Sequence, residues 1–419
     1  MSAPAFLALA DGTVWPGRAL GAQGQRTGEV VFNTCMTGYQ EVLTDPSYCR
    51  QIVVMTAPHI GNTGVNAEDD ESTRAWAAGF AVRRASLSVS SWRATGTLDD
   101  YLRAHGVIGI SDIDTRALVR HLRAHGAMHG ALVSGPDADP EIAVGFAETA
   151  PDINALDLVG EVSCRAPYVW SEPVAPEWYP LDAPAAGDGG PHDAGPADEA
   201  RGRASLDSVV RGVRSWLRGP EAGRRYRPHV VVFDFGVKHN TLRLLAARGC
   251  RVTVVPARTP ANVVTAVEPD GVLLSNGPGD PDRLGDIVET VRALLGHVPI
   301  FGICLGHQVL GAALGGHSYK LKFGHRGGNQ PVLDRRTNQV AISSHNHGFA
   351  LADEGFGPEV EITHVNLNDG CVEGLAAPAV RAFSVQYHPE AAPGPHDAAD
   401  LFDAFLHALR DAREKATKA

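Results

Sequence analysis

Residues Val298–Gln308 read VPIFGICLGHQ, and this stretch decides the fold class. An apolar run enters Gly302-Ile303-Cys304-Leu305-Gly306 and leaves as a helical pattern. Gly-x-nucleophile-x-Gly at a strand-to-helix junction is a turn so tight that glycine is needed on either side of the exposed residue. A cysteine after an apolar strand is otherwise a small core residue; the two flanking glycines separate the readings. The positive end of the following helix favours a thiolate at Cys304.

The pattern around this turn alternates. An apolar run at His229–Phe235 precedes a helical stretch Asn240–Arg248, closed by Gly249 where a C-cap belongs. Arg251–Val255 and Gly271–Leu274 read as further strands, the second ending in SNGPGDP. Arg283–Leu295 is helical, Val298–Ile303 a strand, and Leu305–Leu314 a helix. Strands alternating with helices predict an open, mostly parallel sheet with helices on both faces. Functional loops of such sheets lie at the carboxyl ends of the strands, where both SNGPGDP and GICLGHQ fall.

The preceding half reads as a smaller mixed α/β domain. Phe6–Val14 and Gly28–Val31 are hairpin-like and Gln51–Thr56 is a strand. Two helices each end in Leu-Arg-Ala-His-Gly, at Leu102–Gly106 and Leu122–Gly126. Similar C-terminal caps account for that repeat without a duplicated domain. Between the halves, Ser171–Ala204 is dense in Pro, Gly, Ala and Asp and carries no period. The expected organisation is an N-terminal domain at 1–165, a linker or mobile loop at 166–226, and an α/β domain at 227–419.

The chain has 419 residues, 44% of them hydrophobic, enough for two sizeable cores. Its 37 Lys and Arg against 48 Asp and Glu leave a net charge of −11, which argues against nucleic acid as a partner. The longest apolar runs, Val230–Phe233 and Val298–Leu305, fall far short of the ~18–20 residues that span a bilayer. The N-terminus MSAPAFLALADGTVWPG lacks a basic region ahead of its apolar run and reads as a hairpin. The six cysteines, at 35, 49, 164, 250, 304 and 371, form no Cys-x-x-Cys pair. These features predict a cytoplasmic protein with reduced thiols.

A thiolate nucleophile needs a proton carrier, and Arg381–Glu390, RAFSVQYHPE, offers one. On an extended segment His388 and Glu390 share a face, with Pro389 fixing the backbone between them. A carboxylate beside an imidazole holds its tautomer and stabilises the imidazolium. His-Pro-Glu is weak alone, but beside a cysteine turn in one α/β domain it makes a Cys304/His388/Glu390 triad the leading reading. In Ser275–Pro281, Gly277 and Gly279 would let peptide N–H groups approach a ligand, one of them joining Leu305 N–H in an oxyanion hole; a plain Pro/Gly turn is the alternative.

GICLGHQ, the distal HPE and NGPGDP together resemble the class I glutamine amidotransferases. FDFGVKHN (Phe233–Asn240), KFGHRGGNQPV (Lys322–Val332), SHNHGF (Ser344–Phe349) and VVFNTCMTGYQEVLTDPSYCRQIV (Val30–Val53) narrow the likeness. Within that group they are similar to the small, glutaminase subunits of carbamoyl-phosphate synthase, over nearly the whole chain. His345 stands where Gln is common in those subunits. The resemblance implies Cys304 as nucleophile with His388 and Glu390 as partners. It further implies glutamine held by Ser47, Gly277, Gly279, Leu305, Gln308, Asn346, Gly348 and Phe349. Without it, Ser47 in Asp-Pro-Ser-Tyr is a turn residue and Asn346 ordinary loop chemistry. Lys320, Lys322 and His325 read as a solvated basic turn rather than an anion site.

The resemblance also implies a large ATP-dependent partner that activates bicarbonate and receives ammonia to make carbamoyl phosphate for arginine and pyrimidine synthesis. ATP and Mg would belong to that partner, since this chain has no Gly-x-x-x-x-Gly-Lys-Ser/Thr loop. No cofactor and no metal-ligand cluster is expected here. A stand-alone cysteine amidohydrolase and a non-catalytic regulatory subunit are the competing classes.

Overall fold

The computed structural model describes residues 3–170, 172 and 227–418; the greater part of the expected linker, 173–226, lies outside the described residues. The first half folds around seven strands. They are Pro4–Leu9 (β1), Val14–Gly21 (β2), Gly24–Asn33 (β3), Gln51–Met55 (β4), Gly79–Ala81 (β5), Ile108–Ser111 (β6) and Met128–Ser134 (β7). They close into a barrel in the order β1-β2-β6-β5-β4-β3-β7. Asp11-Gly12 turns β1 into β2 with Gly12 at φ 84°, which builds the expected hairpin. The closed barrel was not visible in the sequence, because strands as short as Gly79–Ala81 carry too few residues to show a period of two. The helices Leu98–Ala104 and Thr115–His125 do end at glycines with positive φ, Gly106 at 66° and Gly126 at 102°.

Among the described residues the second half carries ten strands. Tyr168–Trp170 (β8), His229–Asp234 (β9), Arg251–Pro256 (β10), Gly271–Leu274 (β11) and Ile300–Ile303 (β12) come first. Ser318–Asp334 (β13), Gln339–Leu351 (β14), Glu361–Asn366 (β15), Val372–Ala377 (β16) and Ala382–Val385 (β17) complete the set. The order is β14-β13-β15-β16-β17-β12-β11-β9-β10-β8, with β17 to β10 mutually parallel. An antiparallel extension, β16 to β14, continues the sheet on one side; β8 caps the other. Residues 168–170, inside the expected linker, are thus an edge strand: Tyr-Val-Trp is short, β-prone and half-buried.

Alternation along β9 distributes the core. Val231 and Phe233 pack with Ile287, Val291, Val309 and Leu310 from one set of helices. Val230 and Val232 pack with Leu242, Leu245, Phe402 and Phe405 on the opposite face. Helices therefore cover both faces of the parallel strands, and the loops at the strands' carboxyl ends are held by two rigid layers. No helix among the described residues is long and apolar enough to cross a membrane.

Candidate active site

Cys304 sits between β12 and the helix Leu305–Ala313 with φ 54° and ψ −104°, a conformation most non-glycine residues avoid. The flanking glycines make it possible. A Cβ on Gly302 would lie 2.6 Å from the Gly306 carbonyl oxygen, and one on Gly306 would lie 2.1 Å from that of Leu274. Cys304 N–H donates to Val385 O at 2.9 Å and Gly306 N–H to Ser275 O at 3.0 Å, tying the turn to both neighbouring strands. The sulfur faces the Asn346 carbonyl at 3.6 Å.

β17 stops at Val385, so His388 and Glu390 stand on the turn beyond it, not on an extended strand. They meet all the same: His388 Nδ1 and Glu390 Oε1 are 2.6 Å apart, both side chains buried. His388 N–H also donates to Ser344 O at 2.8 Å, which fixes the turn against β14. Burial opposes the imidazolium, but the Glu390 carboxylate and the nearby Cys304 outweigh it and raise the His388 pKa above its ordinary value. Nε2 has no hydrogen-bond partner, and Cys304 lies near enough to act on the imidazole's charge.

Lys238, whose role the sequence did not disclose, completes this group. Its ammonium lies 2.7 Å from Glu390 Oε1 and donates to the carbonyls of Ala391 and Ala392, the latter at 3.1 Å. Burial would raise the Glu390 pKa, yet Lys238 and His388 depress it well below the carboxylate norm. The group is therefore an ionised chain of ammonium, carboxylate and imidazole.

A cavity opens beside Cys304. Ser47, Gly277, Gly279, Gln308, Asn346, Gly348 and Phe349 line it. Leu305 does not; its side chain belongs to the core, and only its peptide group stands at the turn. Several of these residues are cross-braced. Gln308 Nε2 donates to Phe349 O at 2.8 Å and Gln386 Oε1 at 3.0 Å. Asn276 Nδ2 donates to Ser47 Oγ at 3.0 Å, and Asn346 Nδ2 to Asp45 Oδ2 at 3.0 Å. Ser47 and Asp45 come from the barrel half, so the cavity lies between the two halves of the chain.

The sequence reading missed Glu29, Gln51, Lys320 and Arg326 as lining residues. Arg326 is 4% exposed and donates to Phe323 O at 2.8 Å, a buried cation at the cavity wall. Lys320 pairs with Glu29 at 3.0 Å across the same seam. The expected solvated basic turn is corrected here: Lys320, Lys322 and His325 lie on β13, and His325 is buried at 9% exposure. Gly324 and Gly327, at φ 70° and 139°, lie within a strand with two irregular steps against β14.

The model for the carbamoyl-phosphate synthase small chain, CPSase domain, matches residues 7–132, and that for glutamine amidotransferase class-I matches 231–408. The carbamoyl phosphate synthase small chain of Syntrophotalea carbinolica is 52% identical over 410 residues, covering 98% of this chain and 99% of that one. That of Pseudomonas aeruginosa is 45% identical, covering 99% and 100%. The chloroplastic small chain of Arabidopsis thaliana is 43% identical, covering 98% and 86%.

Proposed function

Because this chain belongs to the carbamoyl phosphate synthase small-chain family, and so is the glutaminase subunit of that ligase, we propose that Cys304, His388 and Glu390 perform the hydrolysis. The observation that carries this is the 2.6 Å His388–Glu390 contact, with Nε2 unpartnered and the Cys304 sulfur close enough to favour the imidazolium.

The Cys304 thiolate attacks the side-chain amide carbon of glutamine. Peptide N–H groups of Leu305 and of the Gly277–Gly279 loop receive the charge that develops on the amide oxygen. His388 gives its proton to the departing nitrogen, so that ammonia leaves and a γ-glutamyl thioester remains. Water, deprotonated by the same imidazole, then releases glutamate and restores the thiol. Glu390 holds His388 in the required tautomer, and Lys238 keeps Glu390 ionised. Ser47, Gln308, Asn346, Gly348 and Phe349 hold the substrate. This amidase chemistry draws on no metal.

As a small chain, the protein works with a large subunit. We assign ATP, Mg and bicarbonate activation to that partner, and the cytoplasm as the compartment. Ammonia released into water would be protonated and lose its nucleophilicity, so direct transfer to the partner serves the synthase.

Cys304→Ser tests the triad. Glutamine hydrolysis should fall by at least about three orders of magnitude. Synthesis by the complex from added ammonia should persist. Unchanged glutamine turnover would refute the assignment; a chain that hydrolyses glutamine at full rate regardless of the partner would favour the stand-alone hydrolase.

A further inference from the structure

His325 of β13, His345 and His347 of β14, and Glu373 of β16 gather in the interior, with His347 also bordering the cavity beside Cys304. Each offers one ligand atom, and the four atoms lie within 4.8 Å of one another. All four residues are buried, His345 at 1% and Glu373 at 0% exposure. We propose that these residues form a closed His3Glu site for a divalent transition ion of the Zn2+ type, clamping β13, β14 and β16 together behind the catalytic residues.

Proton accounting carries the proposal. With the Ser343 hydroxyl donating to Gln330 O at 3.1 Å, His345 Nε2–H can donate to Ser343 Oγ at 2.8 Å, and in that tautomer its Nδ1 bears a lone pair. His347 Nδ1–H donates to Phe349 O at 2.8 Å, which leaves a lone pair on Nε2. His325 Nε2–H faces Asp369 Oδ2 at 2.9 Å, leaving Nδ1 without a hydrogen-bond partner. Three imidazole lone pairs and the Glu373 carboxylate thus point at one place. A cation satisfies them together; without one, the Nδ1–H tautomer of His345 would donate to His347 Nε2 at 3.1 Å.

The spacing agrees. His345 Nδ1 is 3.1 Å from His347 Nε2 and 3.6 Å from Glu373 Oε1, which lies 3.8 Å from His325 Nδ1. The two longer separations exceed a hydrogen bond. A tetrahedral ion with bonds of about 2.0–2.2 Å sets its ligand atoms about 3.3–3.6 Å apart. The outer shell is also in place. Each imidazole's far nitrogen meets a carboxylate, a hydroxyl or a carbonyl, as metal-ligating histidines require, and Asn366 Nδ2 holds Glu373 Oε1 at 3.0 Å. Four protein ligands leave no open position, so the ion is structural. Gln386 N–H donates to Glu373 O at 2.9 Å, which links the clamp to the segment leading into His388.

The full, tag-free chain, stripped with a chelator and titrated with Co2+, should bind one equivalent with the intense visible bands of tetrahedral cobalt, displaced by Zn2+. His345→Gln and Glu373→Gln should abolish those bands. Asp369→Asn, on a partly exposed side chain and therefore safe for folding, should weaken binding by about 10–100-fold. Absence of uptake at micromolar free metal, or uptake that all three variants leave intact, overturns the site.

Discussion

The Lys238 ammonium and the Glu390 carboxylate form a buried ion pair at 2.7 Å, and the same oxygen, Oε1, faces His388. One oxygen thus serves both the cation that keeps it charged and the imidazole it orients.

Lys238→Met should therefore destabilise the fold by about 3–5 kcal/mol, the penalty for stranding one member of a buried pair. Lys238 does not line the cavity. Steady-state kinetics should show kcat for glutamine hydrolysis falling while KM changes little. Thermal melts check the first effect.

Gly306→Ala should collapse the nucleophile's geometry, because the added methyl would meet the Leu274 carbonyl at 2.1 Å. Glutaminase activity should drop by at least about a hundredfold, with a lower melting temperature. Alkylation of Cys304 by a glutamine-analogue electrophile, followed by mass spectrometry, should slow in step with turnover.

Asp45 joins the two halves through Asn346 Nδ2 at 3.0 Å and, within the barrel half, accepts from Ser47 N–H at 2.9 Å. Asp45→Ala leaves these buried donors without an acceptor, at a cost of about 1–3 kcal/mol. With Asn346 unbraced, KM for glutamine should rise more than kcat falls, as initial rates over a range of glutamine concentrations would show.

His307, in the GHQ segment, is fully buried behind the turn with Nδ1 2.9 Å from Ser384 Oγ. Burial, aided by the charge on His364, lowers its pKa to about 3 from 6.5. Folded His307 stays neutral where the unfolded residue protonates. Its contribution is complete above pH 6.5 and is lost as pH falls from 6.5 toward 3. His307→Asn should flatten that acid limb by up to about 1.4 kcal/mol per pH unit, measured by urea unfolding at successive pH values.

Much of the C-terminal half was legible because its signals are local. Glycine spacing around Cys304, an apolar strand and a helical period lie within eleven residues, and His388-Pro-Glu390 is contiguous. The barrel was not legible, since its closure depends on pairings between strands far apart, such as Leu7 with Leu132. Arg326 and Glu29 escaped notice for the same reason: they meet at the cavity only because β13 and the barrel share a seam. No ligand spacing announced the histidine–glutamate cluster either. Its members sit at 325, 345, 347 and 373 on three strands, and folding alone makes them neighbours.

Every reactive atom of the triad belongs to the C-terminal half, yet Glu29, Ser47 and Gln51 of the barrel wall off the substrate cavity. Severed at the linker, the C-terminal fragment would keep its nucleophile but present an open trough. The barrel is in this sense a piece of the amidase itself, and neither half can be exchanged between relatives without matching the other across their shared seam.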